Sequence, residues 1–132
     1  MARSIAGFGN IMDNRSFIEL AKNYVTLSNH HQLDLIKPLF AADATYYSEF
    51  FGEYRGSAAI HEMMLRFFNR FPDAHWEVPD YREIEDGGVE FAFKMTGNDA
   101  ESGEKVNRCG LEKIYFTTDG LIQRIVVLKP EE

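Results

Sequence analysis

Apolar positions recur at helical spacing through the first half of the chain and alternate with polar ones through most of the second. The clearest alternation runs from Lys105 to Phe116. β-Branched and aromatic residues recur there and the turn pair Asp119-Gly120 lies just beyond, so the stretch is predicted to be a strand. Side chains two apart share a strand face, which aligns Val106, Arg108, Gly110, Glu112, Ile114 and Phe116. That face sets an arginine and a carboxylate among apolar residues. If it is buried, both charges need partners or shifted pKa values, and such positions are candidates for a site. If it is exposed, Arg108 and Glu112 form a surface ion pair. The alternation alone leaves both readings open.

Upstream, Phe17, Leu20, Ala21, Tyr24, Leu27 and Ser28 recur at helical spacing. Ser16 and Glu19 fit a capping box, with Asp13 and Asn14 as competing caps. Tyr24 falls on the apolar stripe, which carries its hydroxyl inward, where it needs a partner. Asn29-His30-His31 reads as a solvated connector, since no carboxylate or cysteine stands at metal-ligand spacing. Leu33 to Phe40 is a short helix, truncated or kinked at Pro38. Ala44 to Phe51 is a strand with Tyr46 and Ser48 on one face and Thr45, Tyr47 and Glu49 on the other.

Gly52 to Gly56 reads as a turn, and Gly56-Ser57 opens the longest helix, to about Arg70. Its face of Ile60, Met63, Met64, Phe67, Phe68 and Phe71 is either plain core or the lining of an adaptable pocket. Ala74 to Glu85 is a strand interrupted at Pro79, which places it at an edge or a bulge. Val89 to Gly97 follows, with Val89, Phe91, Phe93 and Met95 on one face. The closing strand, Leu121 to Leu128, is apolar on both faces at its centre, so one face suits the helices and the other a second subunit. His75 and Glu77 share a face opposite Trp76, as a proton relay or as a half-exposed strand. Cys109 lies on the outward face with Leu111 and Tyr115 and reads as sheet packing. Helices early and strands late argue an α+β fold: a cone-shaped, curved, mixed but mostly antiparallel sheet packed on three helices from the N-terminal half. A cone of this size can keep an apolar cavity.

Composition narrows the function classes. The 132 residues suit one domain, expected over 14–132 after a flexible arm at 1–13. A hydrophobic share of 45% with 11 Phe and 6 Tyr is enough for a sizeable core. The single cysteine forbids an intrachain disulfide and, with no apolar leader in view, points to a cytoplasmic setting. Net charge of −7 without a basic stripe argues against nucleic acid, and no run approaches membrane-spanning length.

The stretch LDLIKPLFAADATYYS at 33–48, the helix start YRGSAAI at 54–60 and the final hairpin through Thr118-Asp119-Gly120 resemble the nuclear-transport-factor-2-like superfamily. Its members include SnoaL-like cyclases and ketosteroid isomerases, and the resemblance spans about residues 15–129. It implies that Tyr24 stands where the isomerases have their oxyanion-binding tyrosine and Glu112 where they have a second, protonated oxyanion donor. Met63 and Phe93 fall at apolar pocket-wall positions, to which the patterning adds Tyr46, Phe67 and Phe91 as ligand-lining candidates.

The chain departs from the isomerase pattern at Ser48, where the resemblance implies an aspartate base. A serine accepts no proton at neutral pH without a base beside it. Glu49 is adjacent but points to the other face unless a bulge re-aims it. Arg108 is a second departure, because a cation paired with Glu112 would hold that carboxylate ionised. The expectation is a pocket for a small apolar, carbonyl-bearing molecule, without cofactor or metal. It would serve either proton transfer of the isomerase or cyclase kind, with Tyr24, Glu112 and Arg108 as catalytic candidates, or ligand binding and dimerisation without chemistry. A homodimer through the outer sheet face is expected in either case.

Overall fold

The computed structural model describes residues 16–130; the arm expected at 1–13 lies outside the described residues. Helix α1 spans Phe17–Asn29 and starts at Ser16, whose side chain accepts from the Glu19 amide at 3.1 Å. Its inward stripe is Ala21, Tyr24, Val25 and Ser28, as the helical period requires. Helix α2 spans Leu33–Ile36 and tightens into a 3-10 turn over Lys37–Leu39. Pro38 cannot supply the backbone donor that an α-helix would need there. Helix α3 spans Ser57–Arg70 and buries Ile60, Met63 and Met64.

The strands are β1 (Phe40–Ser48), β2 (Gly52–Arg55), β3 (His75–Glu77), β4 (Arg82–Ile84), β5 (Gly88–Asn98), β6 (Lys105–Phe116) and β7 (Ile122–Leu128). They form one seven-stranded sheet in the order β2-β1-β7-β6-β5-β3, with β4 also paired to β5. Every pair is antiparallel except β1 with β7, so the sheet is mixed and mostly antiparallel. It curves around the helices: α3 lies against β1 and β2, and α1 against β3, β4 and β5. The core between the layers is built on Ile36, Ile60, Val89, Met95, Ile114, Ile122 and Ile125, all essentially inaccessible to solvent. This is the curved α+β cone that the helix-then-strand order predicts.

Three local expectations are corrected. Gly52–Arg55 is a strand, β2, because it pairs antiparallel with β1 from Thr45 to Ser48. Strand β1 starts at Phe40, ahead of the expected Ala44, and ends at Ser48, where the chain turns back into β2. The Asn29-His31 connector is anchored rather than simply solvated. The Asn29 side chain accepts from the Trp76 amide at 2.7 Å and donates to the Trp76 carbonyl at 3.0 Å. His31 lies 2.9 Å from the Ala74 carbonyl and packs on the Phe68 ring. These bonds fix the end of α1 against β3.

The Pro79 interruption also takes definite form. β3 and β4, on either side of Pro79, pair in succession with the same strand, β5. The far end of α3 is tied down by Arg70, which pairs with Asp99 at 2.9 Å in the β5–β6 loop and holds that carboxyl down at about 2.

Candidate functional site

The space between α1, α3 and the inner sheet face is a cavity of about 70 Å³. That admits a few waters or a small organic fragment as the side chains stand. The period-2 alternation of β5 and β6 delivers Phe91, Phe93 and Met95 from one strand and Arg108 and Glu112 from the next. Helix α1 contributes Tyr24, Val25 and Ser28, and α3 contributes Met63, Met64, Phe67 and Phe68. Tyr46 and Ser48 come from β1, and Phe50 and Phe51 from the turn after it. Trp76 and Val127 complete the wall. All the pocket positions expected from the patterning are therefore brought to one cavity. The sequence pattern does not mark Val25, Phe50, Phe51, Trp76, Met95 or Val127 as lining residues. Phe68 and Met95 already shared inward faces, whereas nothing in the pattern distinguishes the turn residues Phe50 and Phe51 from a continuing strand.

Exposure gives the cavity a direction. Glu112 and Tyr24 are buried at its closed end, while Phe51, at 40% exposure, stands at the mouth with the half-buried Arg108. Glu112 makes no hydrogen bond and no ion pair among the described residues, and burial pushes its carboxyl up to about 8. Its protonated form therefore predominates at pH 7.

Tyrosines surround Glu112. Burial raises the Tyr24 hydroxyl well above its ordinary range, with further upward pressure from Tyr46 and Glu112 and an opposing contribution from the Ser28 side chain. Tyr46 is raised by burial and then by Glu112. Tyr81, packed on Phe91 at 5.0 Å, is pushed up to about 12 by burial and then by Glu112. These phenols stay protonated at any ordinary pH, so each has a proton to donate and none is available as a base.

Arg108 does not pair with Glu112, which corrects the expectation that it poises this carboxyl. Same-face parity places both side chains inward, but the guanidinium lies over the rings of Phe50 at 4.8 Å and Phe51 at 5.1 Å. Burial lowers its pKa, and Arg70 lowers it further. With the cation turned toward the mouth, nothing holds Glu112 ionised.

Ser48 lies at the cavity wall, 2% exposed, and its hydroxyl oxygen accepts from the Phe50 amide at 3.0 Å and the Phe51 amide at 3.2 Å. It shapes the turn. Glu49 is not re-aimed by a bulge; it is exposed and accepts from the Lys129 amide at 2.6 Å. His75 and Glu77 are both exposed on β3, outside the cavity wall, which favours the half-exposed strand over a relay. Cys109 points outward and is exposed rather than packed. Among the described residues no cluster of three or more His, Cys, Asp or Glu side chains is placed to hold a metal, and no helix is long and apolar enough to cross a membrane.

A curved sheet wrapped on three helices around an apolar cavity defines a ketosteroid-isomerase-like, cystatin-like architecture. Residues 21–125 match the SnoaL-like domain family, and the chain belongs to that family. Solved structures with the same fold include an uncharacterized cystatin-fold protein from Novosphingobium aromaticivorans, with a TM-score of 0.78, 18% identity and coverage of 88% of this chain and 100% of that one. The epoxide hydrolase/cyclase-like enzyme SalBIII, of pyran ring formation in the polyether salinomycin, has a TM-score of 0.78 at 18% identity, covering 89% and 93%. A protein of ketosteroid isomerase-like fold from Catenulispora acidiphila, in complex with trimethylamine, has a TM-score of 0.74 at 15% identity, covering 83% of each chain. No curated protein matches the sequence.

Proposed function

We propose that the protein is a cofactor-independent enzyme that moves a proton on a small, largely apolar carbonyl compound. The observation that carries this reading is Glu112, a buried carboxyl without a protein partner among the described residues, in an apolar cavity that Tyr24 and Tyr46 also line. It is the only carboxyl group among the lining residues. Acid and base roles that separate groups share in the isomerases therefore fall on one group here. Ionised Glu112 takes a proton from the carbon next to the carbonyl and returns it elsewhere on the same molecule. Tyr24 and Tyr46 donate to the oxygen on which charge develops, and the Met and Phe walls keep water out. A pKa near 8 suits this task, because the protein at neutral pH holds the carboxyl close to its titration point.

Proton exchange tests the reading without knowledge of the natural substrate. Cyclohexanone and acetophenone are incubated with the protein in D2O, and loss of their α-proton signals is followed by NMR. The expected result is exchange faster than buffer, rising with pH to a plateau above about 8, and returned to the buffer rate in Glu112→Gln. No acceleration by the wild type for either ketone would favour the second reading, a ligand-binding module without chemistry. One observation supports that alternative: the position of the missing aspartate is held by Ser48, whose oxygen is committed to turn amides.

The proposal includes a homodimer through the outer sheet face. Leu111, Tyr115, Val126 and Leu128 remain only partly buried on that face of β6 and β7. Light scattering at micromolar concentration is expected to give twice the chain mass of 15.2 kDa; the monomer mass would contradict it.

A further inference from the structure

Arg108 is the charged group at the cavity that the proton-transfer reading leaves unused. It is half-buried, and among the described residues it has no ion-pair partner and no hydrogen-bond acceptor. Its charged neighbour is another cation, Arg70, whose own acid, Asp99, is already bound to it at 2.9 Å. Lys129 adds a third positive charge nearby, 5.6 Å from the centre of the Phe50 ring. In a chain of net charge −7, an arginine with no carboxylate partner among the described residues, at the mouth of an apolar cavity, calls for a reason.

Stacking accounts for part of it. Phe50, Phe51 and, at 5.9 Å, Phe71 take up the face of the guanidinium. Stacking uses the flat faces of the group and leaves its N–H edge free, and that edge is what grips a carboxylate with two parallel bonds. The rings also hold the group in place, so little side-chain freedom remains to be lost on binding.

We propose that Arg108 forms an anion subsite at the cavity mouth, so that the pocket takes an amphipathic monoanion, a carboxylate with an apolar body, rather than a wholly neutral molecule. This rests on the pocket described above and names its ligand class. Arg108 and Glu112 lie on one face of β6, about 13 Å apart along the strand at roughly 3.3 Å per residue. A ligand of medium length spans both once the flexible Met and Phe side chains draw back to enlarge the cavity: its carboxylate meets Arg108 at the mouth, its apolar body lies along Met63, Phe67 and Phe93, and its reacting end reaches Glu112. Keeping the anion at the mouth also separates it from the group that must ionise to act as base.

Trp76, the single tryptophan of the chain, lines the cavity and reports binding through its fluorescence. Octanoate and its neutral isostere octanamide are titrated against the wild type, Arg108→Gln and Arg108→Lys, with calorimetry as a second readout. The wild type is expected to bind octanoate at least about tenfold more tightly than octanamide, the ratio that one charge-assisted hydrogen bond supplies. Arg108→Gln should bring octanoate to the level of octanamide, because the charge that distinguishes the two ligands is gone. Arg108→Lys should keep part of the preference, and added salt should weaken octanoate alone. Equal affinities in the wild type, or a preference that survives Arg108→Gln, would overturn the subsite while octanamide binding kept the pocket. Binding of neither compound would overturn both. If Arg108→Gln fails to fold, the lysine variant and the salt dependence still decide.

Discussion

Glu112→Gln is expected to make the protein more stable at alkaline pH while it abolishes proton transfer. The ordinary carboxyl value of 4.5 is raised to about 8 in the folded chain by burial. Below about 4.5 both folded and unfolded chains hold the proton, and the group contributes its full stability. Between that value and about 8 the folded chain holds a proton that the unfolded chain has lost, so stability falls by about 1.4 kcal/mol per pH unit. Above about 8 both forms are ionised and the loss is complete, on the order of 3–5 kcal/mol. Glutamine has nearly the same shape and never ionises. Urea titrations of the two proteins should therefore give similar stabilities near pH 4.5 and diverge by that amount above pH 8, with the variant the more stable. Carboxyls whose pKa is depressed, such as Asp73 and Asp99, lose their stabilising effect in acid instead and are common to both proteins. Parallel curves would place Glu112 in water. A gain in stability with a loss of activity is the signature of a site held against its own preference.

Gly110→Ala is the second large effect, and its sign is opposite to that of a typical Gly→Ala change. A methyl group normally stabilises by restricting the unfolded chain, by about 0.4–1 kcal/mol. Here a Cβ would lie 2.7 Å from the Leu128 carbonyl oxygen and 2.7 Å from the Phe93 ring. The carbonyl belongs to the neighbouring strand and cannot retreat without loosening the β6–β7 pairing. The ring faces Gly110 directly across the ladder and can only swing toward the cavity. The expected cost is about 2–3 kcal/mol, in the range for overpacked cores, read as a lowered urea midpoint together with weaker ligand binding. A neutral or stabilising result would mean that Phe93 does not lie over this strand.

The inward faces were legible before the structure because they depend only on period. Tyr24 on a helical stripe and Glu112 on a strand face needed no tertiary information, and the bounds of β6 follow from its alternation and the turns at each end. What the pattern could not carry was direction along a face. Parity sends Arg108 and Glu112 to the same side, yet whether they meet depends on which rings lie over the intervening strand. The rings of Phe50 and Phe51 come from a turn distant in sequence, and they draw the guanidinium away. Gly52–Arg55 reads as a turn for a related reason. A short edge strand with polar side chains is defined by the partner that bonds its backbone, β1, and not by its own composition. Ser48 shows the limit at a single residue: its place on the cavity wall was legible, but the commitment of its oxygen to two turn amides was not.

The neutral, buried state of Glu112 underlies the stability prediction, the proton-transfer reading and the separation of the anion subsite from the base. Infrared difference spectra of the wild type against Glu112→Gln measure it directly, through the carbonyl stretch of a protonated carboxyl followed from pH 4 to pH 10. That band should be present at pH 6 and vanish with a midpoint near 8. A midpoint in the ordinary carboxylate range, near 4.5, would contradict it.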